Sequence, residues 1–297
     1  MKRIGITLGD PAGIGPEIVR TALESQRLPK PAEYKLVGKY PDCPLGRPSL
    51  ATARAAEAAL EEAVMLARRG ELDAVVTGPI HKATMCEAGF KFLGQTEFFA
   101  ERCGVKNFAM LLTGGKIIVA LVTTHIPLSE VSCTLKQSEI VRVGRLLVDF
   151  LHRRSKNSPR IAVAGLNPHA GESGKIGHEE IEIISPAIKE LNQSPITSDQ
   201  SPSFFAGPIS PDTLFYRLTN GEWDAALCMY HDQGLIPLKL HAFHTGVNVT
   251  LGLPFPRTSP DHGTAFAIAG QGIARPDSMI AAINLAVELA LTKPART

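Results

Sequence analysis

The chain has 297 residues, 44% of them hydrophobic and 20% charged, which excludes the disordered and fibrous classes and sets two domains, or one large α/β unit, as the expected organisation. With 31 Lys and Arg against 29 Asp and Glu the formal net charge is only +2, and no basic run breaks the pattern, so the many phosphate contacts of a nucleic-acid-binding protein have no source. The five cysteines (Cys43, Cys86, Cys103, Cys133, Cys228) are odd in number and scattered, without a C-x-x-C pair, a usage that fits small core residues in a reducing compartment better than a disulfide framework.

The N-terminal MKRIGITLGDPAGIGPE meets a charge and turn residues after one short apolar run, so it reads as neither a signal peptide nor a membrane anchor, and a cytoplasmic location is expected. Lys2 to Leu8 is the first predicted strand, and Pro16 stands at a favourable first helical position for Glu17 to Ser25. Ser49 to Arg69, rich in Ala, Glu and Leu and stopped by Gly70, is the clearest helix, followed by a strand over Asp73 to Thr77. Further helices are predicted around Thr96 to Arg102, Gln137 to Arg153, His178 to Leu191, Pro211 to Leu218 and Asp277 to Leu291, and Asn192 to Gly207 reads as a surface connection. Short apolar runs alternate with amphipathic stretches, which predicts parallel strands covered by helices and an α/β class.

Three of the strands share a pattern. Ile117 to Thr124 runs into His125, Ile161 to Leu166 into Asn167, Pro168 and His169, and Ala225 to Tyr230 into His231. In an open parallel sheet the carboxyl edge is where ligands bind. Three imidazoles converging there are suited to one divalent ion with open positions left for a substrate, whereas each histidine taken alone reads more readily as an ordinary loop residue. His152, His178, His241 and His244 lack this setting and read as solvated or structural; the β-branched run after Gly246 argues against a helical His241/His244 pair.

The segments GDPAGIGPE (Gly9 to Glu17), TGPIHK (Thr77 to Lys82), TEFFAER (Thr96 to Arg102), TTHIPL (Thr123 to Leu128), GLNPHAGE (Gly165 to Glu172), GPISPDTLF (Gly207 to Phe215), MYHDQG (Met229 to Gly234), GVNVTLGLPFPRTS (Gly246 to Ser259) and DHGTA (Asp261 to Ala265) stand in that order. Together they resemble the 4-hydroxythreonine-4-phosphate dehydrogenase family of pyridoxal phosphate biosynthesis over nearly the whole chain. The resemblance implies an isocitrate/isopropylmalate dehydrogenase-like fold of two α/β/α lobes around a cleft. Residues 1–120 plus 255–297 would form the cofactor-side lobe, and 121–254 the metal and dimerisation lobe. It also implies a homodimer with a shared active site, a divalent metal (Zn, Co or Mg) on His125, His169 and His231, and a phosphorylated hydroxy-acid substrate near Gln95, Thr96, Lys239, Asn248 and Arg257. Gln95 is a departure, since the family usually has histidine there. Gln can hydrogen-bond a phosphate but carries no charge and shuttles no proton.

GDPAGIGPE has the wrong spacing for a G-x-G-x-x-G dinucleotide fingerprint. By resemblance, NAD or NADP would instead be held by the segment from Asp261 to Pro276, through His262, Gly263 and Thr264; the bland reading of that segment is a loop capping the helix from Asp277. Asp212 and Lys239 are the candidate bases on family position alone. The implied reaction is oxidation of 4-phosphohydroxy-L-threonine to a 3-keto acid that decarboxylates to 3-amino-2-oxopropyl phosphate. Alternatives are a related dehydrogenase of 4-phosphothreonate, 4-phosphoerythronate or a dicarboxylate cis-dihydrodiol, and a non-catalytic zinc-binding protein.

Overall fold

The computed structural model describes residues 1–193 and 203–292. Its strands are β1 (Lys2–Thr7), β2 (Ala32–Val37), β3 (Ala74–Thr77), β4 (Ala109–Gly114), β5 (Ile117–Leu121), β6 (Arg160–Ala164), β7 (Phe204–Ile209), β8 (Ala225–Cys228), β9 (Val247–Leu251) and β10 (Arg257–Pro260). Its α-helices are α1 (Gly15–Glu24), α2 (Leu50–Arg68), α3 (Lys82–Glu87), α4 (Gln95–Arg102), α5 (Val131–Thr134), α6 (Gln137–Arg153), α7 (Ser185–Gln193), α8 (Pro211–Thr219), α9 (His231–Ala242) and α10 (Asp277–Leu291).

The described residues divide into two compact units, one of Met1–Lys106 with residues 244–292, the other Asn107–Phe243. These divisions fall at 106/107 and 243/244, beside the approximate boundaries of 120 and 254 expected for the two lobes. β4 and β5 form one antiparallel hairpin, and β5 pairs with β8, so both stay in the second unit. β9 stays in the first because it pairs antiparallel with β10.

In the first unit the strand order is β2-β1-β3-β10-β9, parallel except for the β9–β10 pair. α2 begins with a reciprocal cap, in which Thr52 N–H donates to Ser49 Oγ and Ser49 N–H donates to Thr52 Oγ1, and Gly70 closes it in a left-handed conformation. Its Ala53, Ala56, Leu60, Ala63 and Ala67 recur at helical spacing and are buried with Val75, Phe98, Phe99 and Phe255. Truncating Leu60 there removes contacts worth about 2–5 kcal/mol. α10 is buried along most of its length and packs on β10, β3 and β1.

In the second unit the order is β4-β5-β8-β6-β7, so β5, β8 and β6 lie side by side and parallel, as the strand-end pattern requires. The amphipathic α6 covers this sheet with Ile140, Val143, Leu147 and Leu151. Two expectations change here. Phe204 to Gly207 belongs to strand β7 rather than a surface connection, because it pairs with β6; residues 194–202 of that stretch lie outside the described residues. His241 lies on helix α9, which runs through both Gly234 and Pro237; its Nε2 accepts from Lys116 N–H at 3.2 Å, a structural role. Among the described residues no helix is long and apolar enough to cross a membrane.

Candidate active site

In the second unit, the carboxyl ends of β5 and β8 bring two of the three predicted histidines together. His125 follows β5 and His231 opens α9 directly after β8, and their ring centroids are 5.5 Å apart. Together with Thr124, Leu128 and Tyr230 they line a cavity of about 260 Å³. His231 Nδ1 is 2.6 Å from Asp232 Oδ1. A carboxylate at that nitrogen fixes the tautomer that keeps Nε2 as a lone-pair donor, the usual support for an imidazole that ligates a metal.

His169 is placed differently. It leaves β6 through Pro168 and enters a run of six consecutive residues with positive φ, His169, Ala170, Gly171, Glu172, Ser173 and Gly174. Its Nδ1 lies 3.8 Å from Asp212 Oδ2. Among the described residues no group of three His, Cys, Asp or Glu side chains is close enough to hold one ion. His169 thus stands beside Asp212, while His125 and His231 form the adjacent pair. The turn instead owes its shape to Glu180, which is buried and accepts from Leu166 N–H, Asn167 N–H and Asn167 Nδ2 at 2.7–2.9 Å. Burial favours the neutral carboxyl, but the hydrogen bonds from Asn167 and Leu166 outweigh it and hold Glu180 below the usual carboxylate range. Gln233 then ties the two loops, accepting from Met229 N–H at 2.7 Å and donating to Gly165 O at 2.7 Å.

Asp212, a candidate base, is exposed, and the 2.5 Å hydrogen bond from Ser210 Oγ holds its pKa down. A carboxylate of lowered pKa is a weak proton acceptor at neutral pH, so its position suits orienting His169 better than taking the substrate proton. Lys239 lies on α9, with Nζ 5.7 Å from the centre of the Phe243 ring.

The first unit contains a second constellation. Arg257, the first residue of β10, is only 2% exposed. Its Nη2 donates to Thr77 Oγ1 at 2.6 Å and to Gln95 Oε1 at 2.9 Å, and its Nη1 to Thr250 Oγ1 at 3.2 Å. A guanidinium has five N–H donors, and the buried Nε has no partner among the described residues. Among the described residues no carboxylate pairs with it; burial pulls its pKa down to about 9, with Glu97 opposing only through its charge. Thr96 Oγ1 is 3.4 Å from Thr250 Oγ1, and Asn248 Oδ1 is buried and unpartnered among the described residues. A buried cation whose hydrogen-bond partners are neutral hydroxyls and an amide, with donors left over, has the chemistry to hold an anion. Gln95 is half-buried, and both ends of its amide are engaged by other groups of the protein. Thr77 and Thr250 were missed in the sequence. The signal for Thr77 was its place at the carboxyl end of β3; Thr250 gave none.

The segment from Asp261 is a loop with one short 3-10 turn (Phe266–Ile268) before α10. It packs on the β1–α1 turn of its own unit, where Ile14 N–H donates to Thr264 O at 2.9 Å and Glu17 accepts from Gly270 N–H and Ala274 N–H. The turn is tight enough to demand glycine. Gly9 has φ +75°, and a Cβ there would come within 2.1 Å of the Pro79 carbonyl oxygen. His262 Nδ1 is 3.1 Å from Gly263 O, and Thr264 is buried.

The family of pyridoxal phosphate biosynthetic protein PdxA matches residues 16–286. 4-Hydroxythreonine-4-phosphate dehydrogenase of Aquifex aeolicus (strain VF5) is 42% identical over 323 aligned residues, covering 97% of this chain and 98% of its own. A crystal structure of 4-hydroxythreonine-4-phosphate dehydrogenase from Klebsiella pneumoniae is 36% identical with a TM-score of 0.84, covering 98% of this chain and 100% of its own. Isocitrate dehydrogenase from Methylococcus capsulatus, 15% identical with a TM-score of 0.54 over 98% of this chain and 85% of its own, shares the fold alone.

Proposed function

The chain belongs to the PdxA family of pyridoxal phosphate biosynthetic proteins, and on that premise we propose that it oxidises 4-phosphohydroxy-L-threonine with NAD or NADP. The observation that carries the substrate class is Arg257, a buried cation whose nearest polar neighbours are neutral. A phosphate supplies the charge and acceptor oxygens that this site lacks, with Thr96 and Asn248 of the same unit beside it.

His125 and His231 fit a divalent ion in donor chemistry, as adjacent imidazoles of which one has a carboxylate partner. The third donor, His169, comes in this reading from a second copy, and a homodimer is supported by an exposed apolar stripe on α9. Ile236, Leu240 and Phe243 follow helical spacing and are 66%, 90% and 67% exposed, on the helix that starts at His231. A divalent ion held by these imidazoles would supply Lewis-acid activation of the substrate hydroxyl, and NAD(P) would supply the hydride acceptor. The chain's own residues anchor the phosphate through Arg257 and orient the imidazoles through Asp232 and Asp212. The hydroxyl proton leaves to a base or to solvent as the carbonyl forms, and the resulting β-keto acid loses carbon dioxide. His262, Gly263 and Thr264 are assigned to the cofactor, which the loop's anchoring by Glu17 supports.

A coupled NAD(P)-reduction assay tests the assignment, with 4-phosphohydroxythreonine, 4-phosphothreonate, 4-phosphoerythronate and a dicarboxylate cis-dihydrodiol as substrates, and zinc, cobalt or magnesium added. Turnover of 4-phosphohydroxythreonine in preference to the others is expected. Preference for the dihydrodiol, or turnover indifferent to Arg257→Met, would overturn it.

A further inference from the structure

Resting on the anion-site reading of Arg257, we infer that Gln95 is a positioning residue that holds the Arg257 guanidinium in place, and not a direct contact to the substrate. The Gln95 amide spans two fixed points. Its Oε1 accepts from Arg257 Nη2 at 2.9 Å, and its Nε2 donates to the Gly78 carbonyl at 3.0 Å. The amide has one sensible orientation here, because the carbonyl of Gly78 only accepts and the guanidinium only donates.

Gly78 directly follows β3, and Thr77, the last residue of that strand, takes the other bond from Nη2 at 2.6 Å. The strand end therefore fixes one nitrogen of Arg257 twice, once through Thr77 and once through Gln95. Thr250 holds Nη1, so the unpartnered Nε and the second hydrogen of Nη1 are the donors left for an anion. A histidine at 95 would lose its acceptor when protonated and set a second cation beside the first. Glutamine supplies the same acceptor at every pH and adds no charge of its own beside Arg257.

The inference separates three variants. Gln95→Met removes the acceptor. Gln95→Glu keeps it but adds a negative charge against the guanidinium. Arg257→Met removes the cation. Inorganic phosphate binding, followed by calorimetry, should weaken at least tenfold in Gln95→Glu and several-fold in Gln95→Met, with KM rising in parallel and kcat within about twofold of wild type. In ligand-free protein Gln95→Met should lower the urea unfolding midpoint, and should lower it distinctly less once Arg257 is Met, because the bond to the guanidinium is then already gone and only the one to the Gly78 carbonyl remains to be lost. Equal midpoint shifts on both backgrounds, or unchanged phosphate affinity in both Gln95 variants, would overturn the positioning role while leaving the anion site intact. Wild-type phosphate binding by Arg257→Met would instead remove the anion-site reading, and this inference with it.

Discussion

Arg257 concentrates the cost and the use of the anion site in one side chain. Its folded-state pKa lies near 9, below the ordinary range of a guanidinium, because burial disfavours the charged form. The unfolded chain therefore binds the proton more readily between those two values, so this group's penalty is fully present at neutral pH and falls as pH rises through about 9. A bound anion relieves the same penalty, so phosphate should raise the Tm of wild type at pH 7 well beyond the effect of equimolar chloride, and should not do so in Arg257→Met. Arg257→Lys retains charge but cannot reach Thr77, Thr250 and Gln95 at once. We expect at least a tenfold rise in KM for a phosphorylated substrate, corresponding to about 1.4 kcal/mol or more, with kcat little changed; steady-state kinetics with an unaltered KM would count against phosphate recognition here.

The element that most needs explanation is the left-handed turn after β6. His169, Ala170, Glu172 and Ser173 all have φ between 46° and 56°, which costs on the order of 1 kcal/mol or more for each non-glycine residue. The buried Glu180 carboxylate offsets this cost by taking up the Leu166 and Asn167 amides at the turn's entry. Its folded pKa is depressed, so its contribution is present above the usual glutamate range and is lost as pH falls toward the folded value. Glu180→Gln should therefore destabilise the protein by about 1–3 kcal/mol at pH 7, with the gap from wild type narrowing as pH is lowered below 4. Urea melts of both proteins at several pH values measure this, and a pH-independent gap would show that the charge is not what holds the turn.

At the scale of the whole molecule, the stripe of Ile236, Leu240 and Phe243 on α9 and the two-histidine cluster at that helix's start make one joint prediction. Leu240→Glu should convert a dimer into a monomer by sedimentation and abolish turnover, since the third imidazole would be lost with the partner. Mixed dimers provide the sharper experiment. If His169 serves the other copy's site, His169→Ala and His231→Ala chains, each inactive alone, should recover about a quarter of wild-type activity after random mixing, because half the dimers are mixed and each has one intact site. No recovery would return His169 to its own chain or remove it from the site.

Local signals determined much of this protein by themselves. α6 and α10 run over the bounds their periodicity predicted, Gln137–Arg153 and Asp277–Leu291, because an apolar face and clear stops are properties of a short stretch of chain. The strand-end histidines and ordered motifs likewise pointed to the α/β class and the family. α9 was not legible, since Gly234 and Pro237 argue against a helix locally and only burial of Leu238 and Ala242 among their neighbours favours one. The antiparallel β4–β5 and β9–β10 pairs, which keep these strands within their own units, depend on which strands meet. The role of Gln95 was decided in the same way. Its sequence neighbours say nothing of Arg257, which lies 162 positions away and comes within hydrogen-bonding reach only when β10 pairs with β3.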